Sequence, residues 1–281
     1  MKPIVPRSVR RIALFALPLA ILAQASLSAK AASTPWIDSE GARIRILASP
    51  PDGAGNIRGA VQIDLKPGWV TYWRNPGETG VPPQLATDGS ENVKSAALGF
   101  PPPVALDEGG AAAIGYDSPV ALPLTLVQAT PGRASRLDAH LFIGVCKEIC
   151  VPVKADYTLD IPASAPTQSS VATMTIDEAY AGLPKAAGQD FSMVGAALGP
   201  DRKTIKVEIR VPSASAGKPS LFVDGPSGWS FAPSKLQAIE NGIAQFLVPL
   251  TGSPKEAGAG GRFVFVARAG SRSIEATRVL R

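Results

Sequence analysis

The 281-residue chain contains one histidine, two cysteines and three methionines, a shortage of the side chains from which most catalytic and metal sites are built. A Ser/His/Asp or Cys/His hydrolase would rest on His140 alone, and His140 lies within an apolar and polar alternation that reads as a strand. A closed zinc site needs four nitrogen or sulfur ligands, so no metal ligand set and no cofactor are expected. No glycine-rich phosphate cradle is present. Helical periodicity is scarce, and after residue 31 no apolar run reaches the about 18 to 20 residues of a membrane span.

An excess of charge is missing too. The formal net charge of +5 is carried by Lys2, Arg7, Arg10, Arg11 and Lys30, and without them 23 basic residues face 23 acidic ones. That balance predicts no nucleic-acid or anionic-membrane partner. These basic residues flank an apolar run from Ile12 to Leu27 and the small-residue sequence Ser28-Ala29-Lys30-Ala31-Ala32, the layout of a secretory signal over residues 1–31. Arg10-Arg11 hints at twin-arginine export, but the residues after it fit poorly, and the general secretory route is expected. The predicted compartment is the periplasm, with no membrane span once the signal is removed.

What the chain has in quantity is turn formers, 27 glycines and 27 prolines, between short β-branched runs. Seven strands are predicted in the first half: Ala42 to Ser49, Arg58 to Leu65, Val70 to Trp73, Val93 to Leu98, Val120 to Gln128, Leu137 to Val145 and Val151 to Ile161. Over residues 32–165 they fit an immunoglobulin-like sandwich. Residues 166–190 read as a linker with one short helix, Thr175 to Ala187. Further strands at Ile205 to Val211, Ser220 to Val223, Ile239 to Leu250, Arg262 to Ala269 and Ile274 to Leu280 predict a second, cysteine-free sandwich over 191–281. The fold class is all-β, two sandwiches joined by a short linker.

Cys146 and Cys150 stand three residues apart at the neck of a predicted hairpin. A disulfide there closes a loop of five residues, for which the chain-entropy estimate gives only about 2 kcal/mol, against about 4 to 5 kcal/mol for a loop of a hundred. A sulfur at such a rim is open to in-line attack by a thiolate, as exchange requires. Lys147 favours a thiolate and Glu148 opposes it. Three readings stay open from the spacing alone: an exchange pair, a local clip in a two-domain binding module, and a linear two-thiolate Cu(I) site linked to copper tolerance.

Three segments resemble the N-terminal periplasmic domain of the DsbD family of thiol:disulfide interchange proteins, including ScsB-like members. They are Gly68-Trp69-Val70-Thr71-Tyr72-Trp73-Arg74-Asn75-Pro76-Gly77-Glu78-Thr79-Gly80-Val81-Pro82-Pro83, Gly115-Tyr116-Asp117-Ser118-Pro119-Val120-Ala121-Leu122-Pro123-Leu124, and the hairpin from Gly144 through Val153. The resemblance spans residues 40 to 162. It implies an immunoglobulin-like electron carrier in which Cys146 and Cys150 form the redox pair, with Cys150 in the attacking position and Cys146 in the resolving one. It also implies a cap over the disulfide, matched here by Ile114, Gly115 and Tyr116. The implied partners are a membrane thiol reductase of DsbD or CcdA type and periplasmic thioredoxin-like or isomerase proteins, including those of cytochrome c maturation. The aromatics Trp69, Tyr72 and Trp73 are candidate partner-docking residues.

Overall fold

From Ser135 to Ile161 two twelve-residue strands bury every second side chain over most of their length. The same period-two pattern recurs through the computed structural model, which describes residues 32–77, 79–108, 111–164, 170–200, 202–213, 217–252 and 261–280. The predicted signal segment, 1–31, lies outside the described residues. The first-half strands are β1 (Ala32–Ser33), β2 (Ile37–Asp38), β3 (Ala42–Ala48), β4 (Asn56–Leu65), β5 (Val70–Tyr72), β6 (Gln84–Ala86), β7 (Val93–Leu98), β8 (Val104–Glu108), β9 (Ala111–Tyr116), β10 (Val120–Gln128), β11 (Ser135–Cys146) and β12 (Cys150–Ile161). After the helix α1 (Val171–Ala181) come β13 (Lys185–Ala186), β14 (Ser192–Leu198), β15 (Thr204–Arg210), β16 (Ser220–Asp224), β17 (Ser230–Phe231), β18 (Lys235–Glu240), β19 (Ile243–Gly252), β20 (Gly261–Ala269) and β21 (Arg272–Leu280).

Two six-stranded sheets make the first sandwich, one ordered β1-β3-β4-β10-β7 with β2 on β3, the other β12-β11-β5-β9-β8 with β6 on β11. Ile44, Val61 and Leu124 of one face Leu141, Ile143 and Tyr157 of the other. The second sandwich pairs a sheet β13-β21-β20-β16 with a sheet β14-β15-β19-β17 that also carries β18, around Phe191, Phe231, Phe263 and Phe265. The chain is thus all-β with two immunoglobulin-like sandwiches.

The helix differs from its predicted place, and it is no free spacer. It begins at Val171 because Ser170 caps it, the Ser170 Oγ accepting from the Thr173 N–H at 3.2 Å. Ile176 and Ala179 then cover Leu47 and Ala60 on the outer face of the first sheet. Tyr180 donates to the Leu124 carbonyl at 2.8 Å. This cover explains why Ile46, Leu47 and Ala48 are all buried at the end of β3, where a half-solvated strand would alternate.

Other segments depart from expectation, among them β6, β14 and two hairpins. The predicted strand Ile239 to Leu250 is the hairpin β18–β19, turned at Asn241-Gly242, both with positive φ. Asn-Gly is the dipeptide that such a turn demands. The hairpin β8–β9 lies in a proline- and alanine-rich stretch whose side chains carry little strand signal.

The sandwiches are joined by more than the chain. In β16 the consecutive residues Leu221, Phe222 and Val223 are all buried, as are Phe265, Val266 and Ala267 in β20. Every second one faces the second core, whereas Phe222 and Val266 belong to the first. Trp73 meets Phe222 with ring centroids 6.3 Å apart. The two cores therefore share a dry contact.

Candidate redox site

Cys146 and Cys150 are direct partners in the antiparallel register of β11 and β12. Their Cα atoms lie 4.1 Å apart and their sulfurs are bonded. A bond from the Lys147 N–H to the Ile149 carbonyl at 3.2 Å closes the turn between them. On its other side Cys146 pairs with Val70 of β5. That places Cys146 on an interior strand and Cys150 at the start of an edge strand. Accordingly Cys146 is 2% exposed, while Cys150 is open to solvent together with Lys147, Glu148 and Ile149.

Period two decides what surrounds the bridge. Ile143 and Val145 point into the first core, so Gly144 and Cys146 point out of it. On that outer face Cys146 is packed with Tyr72, Leu106 and Ala113, and Val70, Val81 and Val104 lie against them. The Tyr72 hydroxyl donates to the Cys146 sulfur at 2.8 Å and is 3.3 Å from the Cys150 sulfur. Tyr72 is fully buried.

Two glycines make room for its ring. A β-carbon at Gly144 would lie 3.0 Å from the Tyr72 ring, and one at Gly80 would lie 2.6 Å from it and against Pro76. Beside it Thr71 donates to the Gly144 carbonyl at 2.8 Å, tying β5 to β11 two residues before the cysteine. The ring is held between strand β11 and the loop that follows β5. Its hydroxyl end is aimed at the sulfurs.

The predicted cap is corrected by the same register. Ile114, Gly115 and Tyr116 form part of strand β9, not a loop. Ile114 and Tyr116 face the first core, on the side of the sheet away from the disulfide. Tyr116 donates to the Pro101 carbonyl at 2.9 Å, and burial pushes its hydroxyl pKa upward. A β-carbon at Gly115 would run into the Thr71 carbonyl. Cover for Cys146 comes instead from the next side chains along, Ala113 of β9 and Leu106 of β8.

The predicted docking aromatics are corrected as well. Tyr72 and Trp73 expose nothing to a partner, because adjacent residues on a central strand face two different interiors. Trp69 is half-buried against the first core. The large apolar side chain that does stand out beside the sulfurs is Ile149, 68% exposed. Sequence reasoning passed over it as a turn residue. The available signal was its position between the two cysteines, where the chain has no room to turn inward. Among the described residues, no three His, Cys, Asp or Glu side chains converge to hold a metal.

A disulfide across a hairpin neck, with Cys146 buried and Cys150 open, has the geometry that thiol–disulfide exchange requires. Residues 46–162 match the family described as thiol:disulfide interchange protein DsbD, N-terminal, and this stretch is a DsbD N-terminal-like domain. Among solved structures the chain is similar to the N-terminal periplasmic domain of ScsB from Proteus mirabilis, with a TM-score of 0.72 and 23% identity. That likeness covers 89% of this chain and 99% of the other, so the shared fold extends through the second sandwich. No curated protein matches the chain by sequence.

Proposed function

We propose that the chain is a periplasmic electron carrier that takes reducing equivalents from a membrane thiol reductase of DsbD or CcdA type. It passes them to oxidised thioredoxin-like or isomerase partners through Cys146 and Cys150. The carrying observation is the asymmetry of the pair: an exposed Cys150 and a buried Cys146 under the Tyr72 hydroxyl. In the reduced chain the Cys150 thiolate attacks one sulfur of a partner disulfide. The partner's other sulfur leaves as a thiolate and takes a proton from water. Cys146, deprotonated, then attacks the Cys150 sulfur of the mixed disulfide, the Cys146–Cys150 bond forms, and the partner leaves with two electrons and two thiols.

Tyr72 assists both ends of this cycle. Its hydroxyl donates more strongly to a thiolate than to a disulfide sulfur, because the acceptor is then charged. It therefore favours the reduced form. Exposure at the turn supplies the surface for a brief encounter, with Ile149 as its apolar contact. Export of the mature chain to the periplasm agrees with its even charge and with the layout of residues 1–31. Among the described residues no helix is long and apolar enough to cross a membrane.

The test is the reduction potential of the couple, measured by counting thiols after equilibration in glutathione or dithiothreitol buffers. A value of roughly −180 to −270 mV is expected, and one well below about −300 mV would mark a structural bridge instead. A Cys146→Ser, Cys150→Ser variant is expected to lose all transfer to an oxidised thioredoxin-like acceptor. It should still fold, at a cost of about 2 kcal/mol from the opened loop.

A further inference from the structure

Tyr72, Trp73, Arg74 and Asn75 are consecutive, and they span the distance between the disulfide and the second sandwich. Tyr72 bonds Cys146. Trp73 packs on Phe222. The Arg74 guanidinium bridges Asp224 at 3.1 Å and Glu275 at 2.9 Å, with its side chain 23% exposed. Asn75, 9% exposed, donates to the Trp229 carbonyl at 3.2 Å.

The chain beyond Asn75 returns to the tyrosine. At Gly77, with φ of 91°, a β-carbon would stand 3.2 Å from the Phe231 carbonyl of the second sandwich. Gly80 then fits closely between the Tyr72 ring and Pro76, where a β-carbon would meet both, and Val81 closes the cluster around Cys146. The wall that holds the ring from one side is thus a loop gripped at Arg74, Asn75 and Gly77 by the second sandwich. The opposite wall is β11 itself.

We propose that the second sandwich is a positioning body for the redox pair. It anchors the loop after β5 through Arg74 and Asn75, keeps the Tyr72 hydroxyl on the sulfurs, and so raises the reduction potential of the couple. Arg74 and Asn75 are positioning residues in this scheme, since neither touches a sulfur. The proposal rests on the exchange reading of the pair and adds a task for the cysteine-free half of the chain. Simple docking of two domains would require neither the adjacency of these four residues nor the return of the loop onto the ring.

The experiment is a double-mutant cycle on the full chain, read as the equilibrium constant against glutathione. Asp224→Ala with Glu275→Ala removes both carboxylates that hold Arg74 and leaves the first sandwich unaltered. The expected result is a shift toward a more reducing couple, about threefold to tenfold in the equilibrium constant, the net size of one ordinary hydrogen bond. Tyr72→Phe alone should give a shift in the same direction. With Tyr72→Phe already in place, the carboxylate pair should add no further shift, because its route to the sulfur is gone.

An unchanged constant in the carboxylate variant, or an equal shift in the Tyr72→Phe background, would overturn the proposal. Should the alanine pair fail to fold, Asp224→Asn with Glu275→Gln keeps the shapes while removing the charges. A lowered melting temperature with the constant unmoved would assign the interface to stability alone. These outcomes differ from failure of the exchange reading itself, which shows as a wild-type potential below about −300 mV whatever the variants do.

Discussion

Gly144 illustrates how a residue without a side chain sets the chemistry of its neighbours. It stands two residues before Cys150's bonded partner, where any larger residue would push the Tyr72 ring away from β11. Gly144→Ala is expected to move the reduction potential downward, as loss of the hydroxyl would, with about 1 to 3 kcal/mol of overpacking cost. Potentiometry beside a thermal melt checks both, and an unmoved potential would mean that the ring stays seated. Ile149 belongs to the opposite case, a side chain whose value lies in being outside. Ile149→Ser should slow exchange with an oxidised thioredoxin-like protein severalfold in stopped-flow assays while leaving the potential unaltered. A potential shift there would make Ile149 part of the pair's own environment. Of these residues the cysteines were singled out from the sequence as the pair, and Tyr72 only as a docking aromatic, because spacing identifies a pair but not what packs over it. The contact of Tyr72 with Cys146 is a long-range one, across a sequence separation of 74 residues.

At the scale of elements, the β11–β12 hairpin was legible nearly to its ends, since alternation over most of two twelve-residue strands leaves little choice. The β8–β9 hairpin was not, for want of bulky side chains, whereas the Asn241-Gly242 turn carried its own signal and was read through as one strand. A cap was expected at Ile114 to Tyr116 because a short motif carries no register. A shift of one residue exchanges the two faces of a strand, and that exchange separates these side chains from the disulfide. The long hairpin also carries a titrating rung. His140 and Asp156 are cross-strand partners with the Nδ1 atom 2.7 Å from the carboxylate. The hydrogen bond to Asp156 raises the His140 pKa, with help from the charges of Asp156, Asp88 and Asp138. A raised folded-state pKa adds stability below the ordinary histidine value of about 6.5, and this is lost as pH climbs through the raised value. Both groups are exposed, so the effect on melting is small. In an NMR titration Asp156→Asn should return the imidazole toward its ordinary pKa, and an unchanged titration would show that the pair does not form in solution.

The whole molecule unfolds as one unit if the contact between the sandwiches is as continuous as Phe222, Val266 and Trp73 make it. A single calorimetric transition is expected for residues 32–281, with equal calorimetric and van't Hoff enthalpies, and two resolved transitions would contradict it. Two sandwiches could be read from strand counts and linker composition, but their contact could not. It is written in the few positions of β16 and β20 where both faces of a strand are apolar, which in a single sequence look like ordinary core. Seen from solvent, the molecule presents the sulfur of Cys150 and keeps that of Cys146 under cover. Peroxide reaching the reduced chain is therefore expected to make its sulfenic acid at Cys150, beside a second thiol already in the paired register. Attack by Cys146 expels water and restores the disulfide before a second oxygen can add. The hairpin thereby returns oxidative injury to a form that a thiol reductant can reverse, short of the sulfinic and sulfonic acids that it cannot.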